Sequence, residues 1–389
     1  MGKDSIKGNL RDKLLEEKLI RAAIHNIHGV GSGKLRQLIA HFGSVLNAWN
    51  KTTTSVDSKE EQWWQEIVQK LKGVKPSEII ERLDARGIGI VIPEEEGYPE
   101  LLRQLTDAPP LLYYKGSLSQ GQESLAIVGA RKSTPYGRAA AEALAREIAT
   151  EKIVVVSGLA RGIDTAAHRG ALAVSGVTWA VMGCGLNHIY PPENKKLADE
   201  IIDRGGTLWS EYVPDMPPEP QLFPARNRLI SGMSRGVVVV EAALKSGALI
   251  TVDFALEQGR DVFAVPGPIF SQMSKGSNHL IRQGAKLVES FEDIRSEIPH
   301  FAEVNQHIIS PLSVSKQSMQ NSKAEDEKGV SIEQEQILNL LSDMPIHIDN
   351  ITMNTEVPPE QVPLVLLELQ LAGRIEQLPG QLYVLAHKC

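Results

Sequence analysis

The sequence predicts an α/β fold: a parallel sheet covered by helices on both faces, with a small helical domain before it and a winged-helix-like domain after it. Three observations lead there. Between residues 124 and 290, six apolar runs fall at 125–128, 153–156, 178–182, 207–210, 236–240 and 261–265, with helical stretches between most of them. That alternation is the mark of strands buried on both faces of a parallel sheet. Residues 12–107 read as mainly helical, and residues 331–387 read as three helices followed by a hairpin.

The helical region, 1–107, contains "IHNIHGVGSGKLRQLIAHFG", which sets Gly29-Val30-Gly31 between two short apolar helices. Helix-hairpin-helix modules have this form, and their glycines bring backbone N–H groups close to phosphate. The same segment also serves simple helical packing, with Lys34 and Arg36 facing water. Residues 87–118 form a connector with a short strand, a Tyr-Pro turn and a Pro-Pro stretch leading to a second strand. The sheet domain is placed at 108–299. Residues 300–330 are poor in apolar periodicity and rich in Ser, Gln, Asn, Lys and Glu, which predicts a flexible linker. In the last module, 331–389, the hairpin turns at Pro379-Gly380 and the third helix is expected over 359–371.

The bulk numbers are those of an ordinary globular protein. The chain has 389 residues, 42% hydrophobic and 23% charged, with a formal net charge of −7. No apolar run reaches the roughly 18 residues a membrane span needs. Cys184 and Cys389 are the only cysteines, so no zinc pattern exists and a reducing cytoplasm is expected. From Ser331 to Cys389 there are eight acids and two bases, which leaves the rest of the chain nearly neutral. A basic face must therefore be assembled locally.

The glycine-rich turns carry the functional signal. "IVVVSGLARGIDTAAHRG" reads as strand, tight turn and helix start, an arrangement that holds phosphate. The phosphate is not a dinucleotide's: the first strand ends "IVGARKSTPYGR", without the Gly-x-Gly-x-x-Gly fingerprint. No Gly-x4-Gly-Lys-Ser/Thr loop is present either. What "GARKS", "SGLARG", "GCGLN" and "EAALKSGALIT" share is a place after a strand. In an open parallel sheet those ends lie on one rim, which would gather Arg131, Lys132, Arg161 and Lys245 into a wide basic strip. "FPARNR" adds Arg226 and Arg228 around Asn227, suited to phosphate forks and base-edge hydrogen bonds, or else to a salt-bridged scaffold. Lys275 and Asn278 stand in another polar loop. His168 reads as a packed histidine and Asp164 as an N-cap or first-turn acid. Without a Ser-His-Asp order, a carboxylate pair or a metal cluster, the sequence predicts a binding protein rather than an enzyme.

Seven segments then appear in a recognisable order: "AIVGARKSTPYGR", "VVSGLARGIDTAAHRGAL", "GCGLNHIYPPEN", "SEYVPDMPP", "FPARNRLISGMSRGVVVVEA", "SGALITVDFALEQGRDVFAVPGP" and "GSNHLIRQGAKLV". Together they resemble the bacterial DNA-processing protein A family, called DprA or Smf, over about residues 10–299 and more loosely beyond. The resemblance implies a helical, SAM-like N-terminal domain, an extended Rossmann-like domain and a winged-helix-like C-terminal one. It implies a homodimer that binds single-stranded DNA and loads the recombinase RecA during natural transformation, with no nucleotide cofactor and no metal. Carried onto this chain, the strand-binding rim comprises Gly129, Arg131, Ser157, Gly158, Arg161, Arg226, Asn227, Arg228, Lys245, Ser246, Gly247, Lys275 and Asn278, with Lys195 at its margin.

Physically, the cations would supply sequence-independent attraction that weakens with salt. Tyr136 and Phe223 are the aromatics near these motifs, so base contact is expected to lean on backbone groups and Asn227. The third helix of the last module has Glu360, Gln361 and Glu368 but no Lys or Arg, which predicts a protein contact rather than groove reading. Two rivals are weaker. The lysine-decarboxylase-like phosphoribohydrolases would need Pro-Gly-Gly-x-Gly-Thr-x-x-Glu where this chain has "EAALKSGALITVDFALE". A transcription factor would need a basic third helix.

Overall fold

The computed structural model describes residues 3–52, 62–71, 74–118, 121–303, 332–341, 346–355, 357–359, 361–378 and 380–385. The linker expected at 300–330 lies, beyond Glu303, outside the described residues. The chain forms two compact units, Met1–Ser310 and Pro311–Cys389.

The first unit begins with five helices: α1 (Lys3–His25), α2 (Ser32–Phe42), α3 (Val45–Thr52), α4 (Gln62–Leu71) and α5 (Pro76–Asp84). Ile20, Ile24, Leu35, Leu38, Trp64 and Ile67 form a core among α1 to α4, while Ile79 and Leu83 of α5 pack with Ile88, Ile90 and Tyr113. The turn between α1 and α2 closes with Val30 N–H donating to the Ile27 carbonyl at 2.9 Å, and Gly29 takes φ +84°. Arg36 is half-buried. Its guanidinium donates to the Asp107 carbonyl at 2.9 Å and ties α2 to the connector.

The connector is part of the sheet. β1 (Gly89–Val91), α6 (Glu100–Arg103) and β2 (Leu112–Gly116) form an antiparallel ribbon whose second strand pairs onward. Next come β3 (Ser124–Val128), α7 (Pro135–Thr150), β4 (Val154–Ser157), α8 (Ile163–Ala173), β5 (Thr178–Val181), α9 (Lys195–Asp203) and β6 (Thr207–Ser210). They are followed by α10 (Leu222–Gly232), β7 (Gly236–Val239), α11 (Ala248–Glu257), β8 (Asp261–Ala264), α12 (Lys275–Arg282) and β9 (Lys286–Leu287), then α13 (Phe291–Arg295) and α14 (Pro299–Glu303).

The nine strands run in the order β1-β2-β6-β5-β4-β3-β7-β8-β9. From β6 to β9 every neighbouring pair is parallel, while β2 lies antiparallel on β6. Each of the six predicted apolar runs is a strand, and β3 to β7 are buried throughout because helices cover both faces. Ile148, Ala167 and Phe291 pack on one face, and Leu102, Ile230 and Val252 on the other. The sheet begins at Gly89, so the boundary expected at 107/108 falls between two strands of one ribbon.

The second unit comprises α15 (Ile332–Leu340), β10 (Ile346–His347), α16 (Ile348–Met353), α17 (Val362–Leu371), β11 (Ile375–Leu378) and β12 (Leu382–Leu385). Its sheet order is β10-β12-β11, all antiparallel. This is a winged helix, with Ile337, Ile351, Val362, Leu366 and Tyr383 in its core. Among the described residues, no helix is long and apolar enough to cross a membrane.

Candidate nucleic-acid interface

The sheet order reverses at β3. Strands β4, β5 and β6 follow on one side, and β7, β8 and β9 on the other. Outside the carboxyl ends of strands at such a point a crevice forms. Here it is a cleft of about 490 Å³. Gly129 and Arg131 enter it after β3, Ala160 and Asp164 after β4, and Ser246 and Gly247 after β7. Phe223, Arg226 and Asn227 enter from α10.

Two interlocks fix the loops. Glu241, buried at the end of β7, accepts from the Thr134 backbone N–H at 2.8 Å and its hydroxyl at 2.6 Å, and its carbonyl takes the Ala130 N–H at 2.7 Å. Asp164 accepts from the N–H groups of Gly158 at 3.1 Å and Ala160 at 3.2 Å, capping the loop from the first turn of α8. Two glycines are required here. A Cβ on Gly158 would lie 2.6 Å from the Arg226 guanidinium and 2.8 Å from the Asp164 carboxylate. Gly162 takes φ +78°, and a Cβ there would collide with the Ala130 carbonyl.

"FPARNR" is helical rather than a free loop. Arg226, Leu229 and Ile230 share the face of α10 that packs on the sheet, so the helical period carries the arginine inward with the leucine. Arg226 is 3% exposed and donates to the carbonyls of Gly158, at 3.0 Å, and Val181. Burial pulls its pKa down to about 10, against the neighbouring Asp164 charge. Burial raises Asp164, with Arg226 opposing. Arg228 pairs with Glu211 and with Asp107, the latter at 3.3 Å. These two arginines hold the rim together instead of standing as free phosphate forks. Ser157 is likewise interior, its hydroxyl donating to the Ile127 carbonyl at 2.6 Å. Both ends of the Asn278 amide bond to the backbone of Gly267.

The remaining predicted cations reach water. Arg131, Lys132, Arg161, Lys195, Lys245 and Lys275 are exposed. Arg161 pairs with Glu193, and Lys195 with Asp199 at 2.9 Å. The Arg131 guanidinium lies over the Phe223 ring, 5.4 Å from its centroid. Phe223 in turn meets Tyr190 at 5.2 Å between centroids. Tyr190 was not among the sequence candidates. It follows a Gly-rich turn and meets Phe223 only in the folded chain. The cleft therefore has a cation above a tilted aromatic pair, with Asn227 beside it donating to the Gly247 carbonyl at 3.4 Å. Cations and π-faces on one strip suit phosphates and unstacked bases.

Residues 89–299 match the family described as DNA recombination-mediator protein A, and residues 321–381 match the DprA winged helix domain. The chain belongs to the DNA recombination-mediator protein A family. The matched region opens at Gly89, where β1 opens. Among DprA relatives, Protein Smf of Escherichia coli is 40% identical over 298 residues, covering 76% of this chain and 77% of that one. Protein Smf of Synechocystis is 32% identical over 386 residues, covering 92% and 96%. The X-ray structure of DprA from Streptococcus pneumoniae superposes with a TM-score of 0.60 at 35% identity, over 72% of this chain and 96% of that one.

Proposed function

We propose that this chain binds single-stranded DNA along the rim outside the carboxyl ends of β3, β4, β7 and β8, and delivers the strand to RecA. One observation carries the reading: Arg131 over the Phe223 ring, which in turn meets Tyr190, in a cleft bordered by exposed lysines. Arg131, Arg161, Lys245 and Lys275 attract the backbone, loop N–H groups set its register, and Phe223 with Tyr190 receives bases. Arg226, Arg228, Ser157 and Asn278 serve this site as its frame. A relative 47% identical over 204 residues is named DNA processing protein DprA in Streptococcus pneumoniae, which supports a role in DNA processing. Action in the cytoplasm as a homodimer, in transformation or general recombination, completes the proposal.

The test is binding of a fluorescent single-stranded oligonucleotide and its duplex across a salt series. Wild type is compared with Arg131→Glu/Lys275→Glu, which leaves the buried frame intact. Tight, salt-sensitive single-strand binding that the double variant weakens is the expected result. Duplex preference, or binding untouched by the variant, overturns the reading.

A further inference from the structure

The loop after β8 carries a feature the rim does not explain. The Ser271 N–H donates to the Pro268 carbonyl at 2.9 Å, which closes a β-turn with Ile269 and Phe270 at its corners. Turn corners ordinarily take Gly, Asn, Asp or Pro. Here both corners are large and apolar, and both stand in water: Ile269 is 76% exposed and Phe270 91%. The turn is held from three sides. The Tyr136 hydroxyl donates to the Pro266 carbonyl at 2.9 Å, Gly267 is clasped by Asn278, and the Ser271 hydroxyl caps Met273 at 3.2 Å. The apolar tip is thus fixed in place before anything binds it.

Its location gives it an occupant. β8 runs parallel to β7, so the turn leaves the same rim as the cleft. Met273, three residues past Phe270, lines the cleft itself. Lys275 is exposed two residues beyond Met273, and the Gly276 N–H donates to the Ala242 carbonyl at 2.6 Å, joining this loop to the one that bears Lys245. An apolar tip on the loop that leads to an exposed lysine matches a nucleotide, with phosphate on lysine and base on aromatic face.

Building on the single-strand reading above, we propose that Phe270, backed by Ile269, is a second stacking site. It takes an unpaired base where the strand passes β8, while Lys275 holds the adjoining phosphate. Apolar side chains at a nucleic-acid surface stack on bases or wedge between them. A rigid turn loses little freedom in doing so.

The experiment uses the full chain and a fluorescent oligothymidine, together with the same oligomer carrying abasic positions. Phe270→Ala is expected to weaken binding to the intact strand about 5- to 10-fold, and to change binding of the abasic strand much less. Phe270→Trp is expected to retain affinity and to show quenched indole emission when the strand binds. Wild-type binding that Phe270→Ala leaves unchanged sinks this inference and spares the rim. Wild type that fails to bind any single strand sinks both. Loss of self-association by Phe270→Ala without DNA, seen by sedimentation, would assign the turn to a second copy and overturn the stacking role.

Discussion

The rim of the parallel sheet and the third helix of the winged module are both built on shapes that other proteins use for nucleic acid. Their surfaces are opposite in character. The rim exposes Arg131, Lys132, Arg161, Lys245 and Lys275 around a tilted aromatic pair. Helix α17 exposes Leu364 and Leu367, 57% and 51% accessible, beside Glu368 and Gln370, with no Lys or Arg anywhere along it. A fold supplies a place to put residues, and the residues decide what is bound. An apolar helix with Glu368 as its one charge lacks the cations and base-edge donors that groove reading needs.

The largest effect should come from beneath the rim. Arg226→Ala strips the Gly158 and Val181 carbonyls of a donor and takes from buried Asp164 its main opposing charge, leaving only the weaker pull of Arg131. A loss of about 3–5 kcal/mol in unfolding free energy is expected. Denaturant titration measures it, and a loss under 1 kcal/mol would mean Arg226 is not the frame described here.

Acid should separate the two units next. Burial holds His25 at about 4 and His168 at about 3, below the ordinary 6.5. Their folded-state values lie under the unfolded one, so stability present at pH 7 is lost as pH falls through 6.5 toward 4. At pH 5 the linkage amounts to about 2 kcal/mol for each imidazole. The winged unit has no buried histidine among its described residues. Calorimetry at pH 7 and pH 5 should show the large unit's transition moving down most.

Binding effects rank below these. Arg131→Glu/Lys275→Glu should weaken single-strand binding by at least about tenfold at moderate salt and flatten its salt dependence. Phe223→Ala should cost about fivefold, with less change on an abasic strand. Smallest of all, Leu367→Arg in α17 should shift single-strand affinity by less than about twofold. A gain of duplex binding in that variant would show that sign of charge alone separates the two surfaces.

Much of the fold was legible because apolar runs and turns are local signals. Six of the seven parallel strands, β3 to β8, stand where the sequence placed them, to within a residue or so. β9 and β10 went unseen, since two residues carry no pattern. Asp164 and His168 fit their local readings: the acid caps its loop, and the histidine packs with Nδ1 2.7 Å from the Thr178 hydroxyl. The site was less legible. Arg226 and Arg228 advertise charge in the sequence, but whether a charge meets water depends on which face of α10 the sheet covers. Tyr190 and Phe223 lie 33 positions apart, and nothing local joins them. Arg131 was found because it follows a strand directly, where position and exposure go together.

The antiparallel ribbon has a consequence in time. β2 finds its onward partner only in β6, Gly116 against Thr207 and Tyr113 against Ser210. About ninety residues must be made between them, and at about 5–20 residues per second that takes the ribosome roughly 5–20 seconds. Through that interval Leu112 and Tyr113 have no sheet to join. Ala22 and Ala23 of α1 belong to the same apolar cluster as Ile90, Ile92 and Tyr113, and Arg21 of that helix already bonds Glu94 and the Pro110 carbonyl. Helix α1, made before the ribbon, is thus the shelter under which the ribbon waits, and nascent chains arrested short of Ser210 should lose their ribbon to protease when α1 is deleted.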